Sequence, residues 1–331
     1  MMKKILRKVF VGLLGFVAII GALFVYFIYT PDPDVPQLSG VLTKATMEVD
    51  GKQMTYRSYI PKGLAKAAPL VIVMHGSGQN GSQIRLETGY GFDRLADQYG
   101  FAVVYPSASS FDWNDCSKVG DFKVDGKEID HVKFLTLLTD KLVAENGFDP
   151  QRVFATGVSS GGFMSLRLAI EAPSRFRAVA AVSANLPVSD NFKCALSGSS
   201  TSIMMMNGTE DPIVHYEGGE TSLLGLFYKG GILKSSKDTA QFFADLNQIN
   251  AAPVINPTMN SVSQGGEDNS KFERTLWKNE SKVEVELVTI YGGGHGMPQA
   301  YWKRPRLVGP SPMSPNGPAM IWDFFSRQQA L

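Results

Sequence analysis

The segment Gly157-Val158-Ser159-Ser160-Gly161 places a serine two residues from a glycine on each side, and Gly162 follows. This spacing suits a serine on a tight strand-to-helix turn. A Cβ at the flanking positions would strike neighbouring backbone, and the hydroxyl stands clear at the sheet edge. A serine hydroxyl becomes a nucleophile when a base takes its proton, and the base in turn needs a carboxylate to orient it. After such a turn the acid and then the base follow the serine along the chain. Four histidines are available: His75, His131, His215 and His295. His75 and His131 precede Ser159, and His215 shares a loop with the candidate acid. His295, in Gly292-Gly293-Gly294-His295-Gly296, is left as the expected base. The acid is expected in Asn207-Gly208-Thr209-Glu210-Asp211-Pro212, where Glu210 and Asp211 compete. Asp211, set rigidly between Gly-Thr and Pro, is favoured. The expected catalytic set is therefore Ser159, Asp211 and His295, and the chemistry acyl transfer through an acyl-serine. An oxyanion formed on that path needs two N–H donors. Ser160 is expected to supply one and Ser77, in His75-Gly76-Ser77-Gly78, the other, with Gly76 as the alternative. His75 is read as a brace for that loop.

These residues need elements to present them. A strand over 152–156 runs into Ser159, and a helix over 163–171 follows. Short apolar strands at 69–74, 101–105, 178–183 and 202–206, with a longer one at 283–291, place His75, Asp211 and His295 at strand ends. Helices are expected near 91–99, 130–145, 239–247 and 319–325. Asp50-Gly51 between β-prone runs at 44–49 and 54–60 is a hairpin signal, and the polar stretch 256–269 reads as a surface loop. Strands alternating with helices predict an α/β protein with a mostly parallel sheet covered on both faces.

The chain has 331 residues, of which 44% are hydrophobic and 19% charged, a globular composition that excludes a disordered chain. Its net charge of +1 joins four N-terminal cations (Lys3, Lys4, Arg7 and Lys8) to a remainder of −3, so a nucleic-acid partner is not expected. Residues 9–29 are almost wholly apolar, long enough to cross a bilayer, and lack a small-x-small cleavage site. They are read as an uncleaved signal anchor rather than a cleaved signal. The expected layout is a basic cytoplasmic tip at 1–8, the transmembrane helix at 9–29, a linker at 30–40 and one catalytic domain at 41–331 outside the cytoplasm. No metal-ligand cluster, phosphate loop or dinucleotide fingerprint is legible, so no metal or cofactor is expected. No obligate protein partner is expected either. Two roles fit Trp113, stacking on a substrate or packing inside the fold. Cys116 and Cys194, on loops at the same sheet edge, either form a disulfide or remain free.

His75-Gly76-Ser77-Gly78, Trp113-Asn114-Asp115, Gly157 to Gly162, Asn207 to Pro212 and Gly293-Gly294-His295-Gly296-Met297-Pro298 occur in one order. Together they resemble the polyhydroxybutyrate depolymerase-like and feruloyl esterase-like branch of the α/β-hydrolases, over about residues 44–327. The resemblance implies the α/β-hydrolase fold and a secreted or surface carboxylic ester hydrolase. By carry-over it implies Ser159, Asp211 and His295 as the triad. Met297 stands where that family usually has a tryptophan walling the catalytic histidine, which makes it a candidate substrate contact. Asp130-His131 stands where two acidic residues are frequent. With no separate polymer-binding domain in view, crystalline polyester is not an expected substrate. A serine peptidase, an acyltransferase and a non-catalytic binding module of the same fold are the alternative readings.

Overall fold

The computed structural model describes residues 2–120, 122–223, 227–260, 270–279 and 283–328. Helix α1 (Met2–Phe27) comes first and is exposed along its whole apolar length. Strands β1 (Val41–Val49) and β2 (Lys52–Ile60) then form an antiparallel hairpin in which Val49 faces Lys52. Asp50 and Gly51 both take positive φ, 50° and 76°. A two-residue turn that follows the twist of its strands demands this of both central residues, so Asp-Gly belongs there.

The succession continues with β3 (Leu70–Met74), α2 (Gly81–Glu87), α3 (Gly91–Tyr99), β4 (Ala102–Pro106), a small hairpin β5 (Lys123–Val124) and β6 (Lys127–Glu128), and α4 (His131–Asn146). Then come β7 (Val153–Val158), α5 (Ser160–Glu171), β8 (Ala178–Val182) and β9 (Ser202–Gly208). A second hairpin, β10 (Gly219–Leu223) and β11 (Phe227–Leu233), precedes α6 (Ser236–Leu246), β12 (Val254–Asn260), β13 (Lys271–Lys278), β14 (Glu284–Tyr291) and α7 (Gly317–Arg327). The main sheet has the order β1-β2-β4-β3-β7-β8-β9-β14-β13-β12. From β4 to β14 every neighbouring pair is parallel, and antiparallel strands flank this block on both sides.

Successive residues of the inner strands feed two cores. Leu70, Ile72 and Met74 of β3 pack with Phe134 and Leu138 of α4, Met164 and Leu168 of α5 and Phe243 of α6. Val71 and Val73 pack on the other face with Ile84 of α2, Phe92 of α3, and Ile321, Phe324 and Phe325 of α7. The two-residue period of a strand sends neighbours to opposite faces, so a sheet covered on both sides needs unbroken apolar runs. Each buried side chain of this size contributes roughly 1.5–3 kcal/mol.

Several elements depart from expectation. Helix α2 is not among the expected helices; it is capped by Asn80 Oδ1 accepting from the Ser82 N–H at 2.9 Å. Residues 256–260 extend strand β12 instead of opening the expected surface loop, whose remainder, 261–269, lies outside the described residues. Among the described residues β12 is the sheet's last strand, and Val254 and Ile255 stay exposed, so no buried face marks it in the sequence. The linker after α1 is seated on the body. Pro33 is buried, Leu38 packs on the second core, and Ser39 N–H and Oγ donate to Asp97 at 2.7 and 2.8 Å.

Candidate active site

Ser159 ends strand β7 and precedes α5 with φ 55° and ψ −122°. A positive φ on a non-glycine residue costs on the order of 1–3 kcal/mol and persists only where its surroundings enforce it. Here the Ser159 N–H donates to Val182 O and the Ser159 carbonyl accepts from Phe163 N–H, both at 2.9 Å. The flanking glycines are set by contact. A Cβ on Gly157 would stand 2.4 Å from the Gly161 carbonyl carbon, and one on Gly161 would stand 2.4 Å from Met74 O. Helix α5 therefore starts directly over the ends of β3 and β7, with the half-buried serine at the carboxyl edge of the sheet.

Strands β9 and β14 are parallel neighbours, and the segments after them carry Asp211 and His295. His295 Nδ1 lies 2.8 Å from Asp211 Oδ2. The other carboxylate oxygen, Oδ1, accepts from the N–H groups of Ile213 and Val214, each at 2.9 Å. Burial pushes the Asp211 carboxyl up, but His295 and these two N–H groups outweigh it and hold it below its ordinary value. An ionised Asp211 fixes the proton on His295 Nδ1 and leaves Nε2 as the basic nitrogen. The His295 backbone is pinned as well. Its N–H donates to Val308 O at 2.8 Å, and the next residue, Gly296, donates to Ser183 Oγ at 2.7 Å. Glu210 and His215 are both exposed and outside this pair.

The loop after β3 brings Gly76 and Ser77 beside Ser159. The Gly76 N–H is engaged by Gln79 Oε1 at 3.0 Å, so it is not the free donor. The Ser77 side chain donates to Asp112 at 2.5 Å, while its N–H meets no acceptor among the described residues. The Ser160 N–H opens α5, where the first-turn donors have no partner within the helix. His75 is fully buried beneath this loop. Its Nδ1 donates to Gly76 O at 2.7 Å, and its Nε2 accepts from Ala108 N–H at 3.0 Å. Burial lowers it to about 4, so it stays neutral. His131 does the same one layer out, accepting from Asn114 N–H at 2.8 Å and donating to Ala108 O at 2.9 Å; it is likewise lowered to about 4 by burial. Asp130 caps α4 by accepting from the Lys133 N–H at 3.0 Å.

Of the two roles open to Trp113 the structure shows packing, and the substrate contact expected of Met297 is corrected. Trp113 is fully buried: its indole N–H donates to His75 O at 2.9 Å and its backbone N–H to Ser160 Oγ at 2.9 Å. It packs beneath the site and offers no face to a ligand. Met297 is 1% exposed and lies in the second core beside Gly317. The residue two places after His295 is thus drawn inward, away from the cavity.

The cavity itself has a volume of about 320 Å³ and includes Ser159, His295, Ser77, Phe111, Trp302 and Leu307 in its lining. Residues not anticipated from the sequence give it a polar end. Gln79 Nε2 donates to Glu87 Oε1, and Arg304 Nη1 donates to Met297 O at 3.0 Å. Burial pushes the Glu87 carboxyl up and the Arg304 guanidinium down, each opposed by the attraction of the other. Cys116 and Cys194 are joined in a disulfide with their Cα atoms 4.9 Å apart. Among the described residues no cluster of three potential metal ligands occurs.

Comparison with known proteins gives this geometry a class. The family description "Esterase PHB depolymerase" matches residues 54–218. NocK of Nocardia uniformis subsp. tsuyamanensis, named as an esterase, is 28% identical over 296 residues, covering 85% of this chain and 81% of its own. Poly(3-hydroxyalkanoate) depolymerase C of Paucimonas lemoignei is 27% identical over 262 residues, covering 72% of this chain and 58% of its own. Feruloyl esterase B of Talaromyces funiculosus is 25% identical over 251 residues, covering 72% and 68%. Among solved structures, an acetyl xylan esterase from Aspergillus awamori shares the fold with a TM-score of 0.52 at 19% identity, over 77% of this chain and 94% of that one. The chain is an α/β-hydrolase-fold carboxylic ester hydrolase. More particularly, it is an esterase of the polyhydroxybutyrate depolymerase-like and feruloyl esterase-like kind.

Proposed function

We propose that the protein is a serine esterase held at a membrane with its catalytic domain outside the cytoplasm. The observation that carries the reading is the 2.8 Å His295–Asp211 pair, which opens on the same cavity as a serine in a strained strand-to-helix turn. In this mechanism His295 Nε2 takes the Ser159 proton as Oγ attacks the ester carbonyl carbon. The resulting oxyanion lies against the N–H groups of Ser77 and Ser160. As the intermediate collapses, the alkoxy oxygen leaves with the proton from His295, and the acyl group stays on Ser159. Water then attacks the acyl carbon, giving a proton to His295; the bond to Ser159 breaks, Oγ takes that proton back, and the free acid departs.

The largely apolar cavity suits an ester whose acyl part is apolar. The relatives' names suggest hydroxyalkanoate, feruloyl and acetyl esters. We assign residues 9–29 to the anchor, 30–40 to a seated connector and the body from residue 41 to catalysis. The Cys116–Cys194 bridge supports an oxidising, extracytoplasmic compartment. In the deciding experiment, Ser159→Ala is expected to abolish p-nitrophenyl acetate turnover and fluorophosphonate labelling with the circular dichroism spectrum unchanged. Wild-type turnover in that variant would sink the assignment.

A further inference from the structure

We infer that residues 301–308 form a bilayer-contact surface that holds the catalytic cavity at the membrane, and that the enzyme's substrates are amphiphilic acyl esters drawn from the bilayer surface. The inference rests on the esterase and anchor readings above. Its starting point is a contact between two segments 280 residues apart. Arg306 Nη1 donates to Tyr26 O at 3.1 Å, and the Arg306 guanidinium lies 4.3 Å from the centre of the Tyr26 ring. Tyr26 is in the last turn of α1. Arg306 begins a short 3-10 turn (Arg306–Val308) whose neighbours Pro305, Leu307 and Val308 line the catalytic cavity. One strap of chain therefore faces the cavity on one side and the end of the anchor on the other, and its Val308 carbonyl also holds the His295 N–H.

The level of Tyr26 in a membrane follows from helix geometry. From Lys8, the last cation of the tip, to Tyr26 the helix rises about 27 Å at 1.5 Å per residue. A hydrocarbon core is roughly 30 Å thick. With Lys8 at one boundary, Tyr26 and Phe27 reach the other, where aromatic rings concentrate. Arg306 then lies at headgroup level. The strap has the composition of that zone: Tyr301, Trp302, Lys303, Arg304 and Arg306, with no acidic residue anywhere between Tyr291 and Asp323. Arg304 turns inward to Met297 O, whereas Lys303 and Arg306 are exposed. Asp32 and Asp34, just past the anchor, are exposed carboxylates, so the strap and not the connector supplies attraction for lipid phosphate. The connector's seating on Asp97 and Tyr59 prevents the body from swinging freely on its anchor.

The test uses the full chain in vesicles of phosphatidylcholine and phosphatidylglycerol. With both native cysteines bridged, a single bimane label is placed by Lys303→Cys or, as a control, Lys66→Cys, an exposed site ahead of β3 at the opposite end of the sheet. Brominated lipid is expected to quench the label at 303 severalfold more than the label at 66. Equal quenching in carbonate-resistant protein that turns over p-nitrophenyl acetate overturns this inference alone. Release by alkaline carbonate overturns the anchor reading and this inference with it, and absence of acetate turnover overturns the esterase site. In the kinetic arm, Lys303→Glu is expected to lower turnover of vesicle-held p-nitrophenyl myristate relative to p-nitrophenyl acetate by about fivefold. An unchanged ratio overturns the substrate class.

Discussion

Replacing Asp115 with Asn should change how stability depends on pH while leaving the fold intact. Asp115 follows Trp113-Asn114 and is buried beside the Cys116–Cys194 bridge. Burial, with help from Asp112, raises its carboxyl from 3.8 to about 7, against the lowering effects of the Ser117 N–H, Lys193 and Arg167. A folded-state value above the unfolded one means the native protein keeps a proton that the unfolded chain has released. Stability therefore falls as pH rises from about 4 to about 7, and levels off above that. The penalty for holding the ionised group inside is roughly 4 kcal/mol at pH 8 and about 2 kcal/mol at pH 5. Asn keeps an oxygen to accept the Ser117 N–H, now 2.6 Å away, and carries no charge to bury. The stability advantage of Asp115→Asn over wild type should thus shrink by roughly 2–3 kcal/mol between pH 8 and pH 5. His75 and His131, held low by burial, act in the opposite direction. They remove stability as pH falls from 6.5 toward 4, but equally in both proteins, so they cancel in the difference. Urea unfolding of detergent-solubilised full-length protein at pH 8, 6.5 and 5, followed by tryptophan fluorescence, measures the gap. A gap constant within about 0.5 kcal/mol would refute the buried-proton argument.

Asp211→Asn should lower kcat for p-nitrophenyl acetate by about 10⁴ with little change in KM, because the wrong His295 tautomer is then favoured; a loss under tenfold would remove Asp211 from the orienting role. Replacing both Cys116 and Cys194 by Ser should cost about 4–5 kcal/mol by the loop-entropy relation for a separation of 78 residues. Urea midpoints that match wild type would show that the unfolded chain is not constrained by the bridge.

The parallel sheet was legible because its strands are buried on both faces and so appear as unbroken apolar runs, as in residues 70–74 and 178–182. Ser159 was legible for a related reason. The glycines around it are dictated by backbone contacts of β3, β7 and α5, and such contacts permit no other residue. His295 could be singled out by chain order and the scarcity of histidine. Trp113 was ambiguous because a tryptophan at a strand end can face the cavity or the core. Only the position of His75 O and Ser160 Oγ decides, and these come from distant parts of the chain. Met297 misled because a sequence position two residues after His295 says nothing about which way the turn at Gly296 sends it. The strap at 301–308 and strands β12 and β13 were not legible. The strap's partner at Tyr26 is remote in sequence, and β13 has mostly partly exposed residues that leave no hydrophobic period.

The Cys116–Cys194 bridge closes a covalent ring around one part of the catalytic apparatus. Ser159, its elbow and all of α5 lie inside the ring, whereas Asp211 and His295 lie outside it. The exposed turn at Asp125-Gly126, between β5 and β6, is within the ring as well. A protease cut at that turn would leave Ser159, Asp211 and His295 on one fragment and Ser77, with β1 to β4, on the other, and the bridge would hold the two together until it is reduced. This one bond converts an exposed hairpin from a point at which the oxyanion loop would be lost into a tolerated nick.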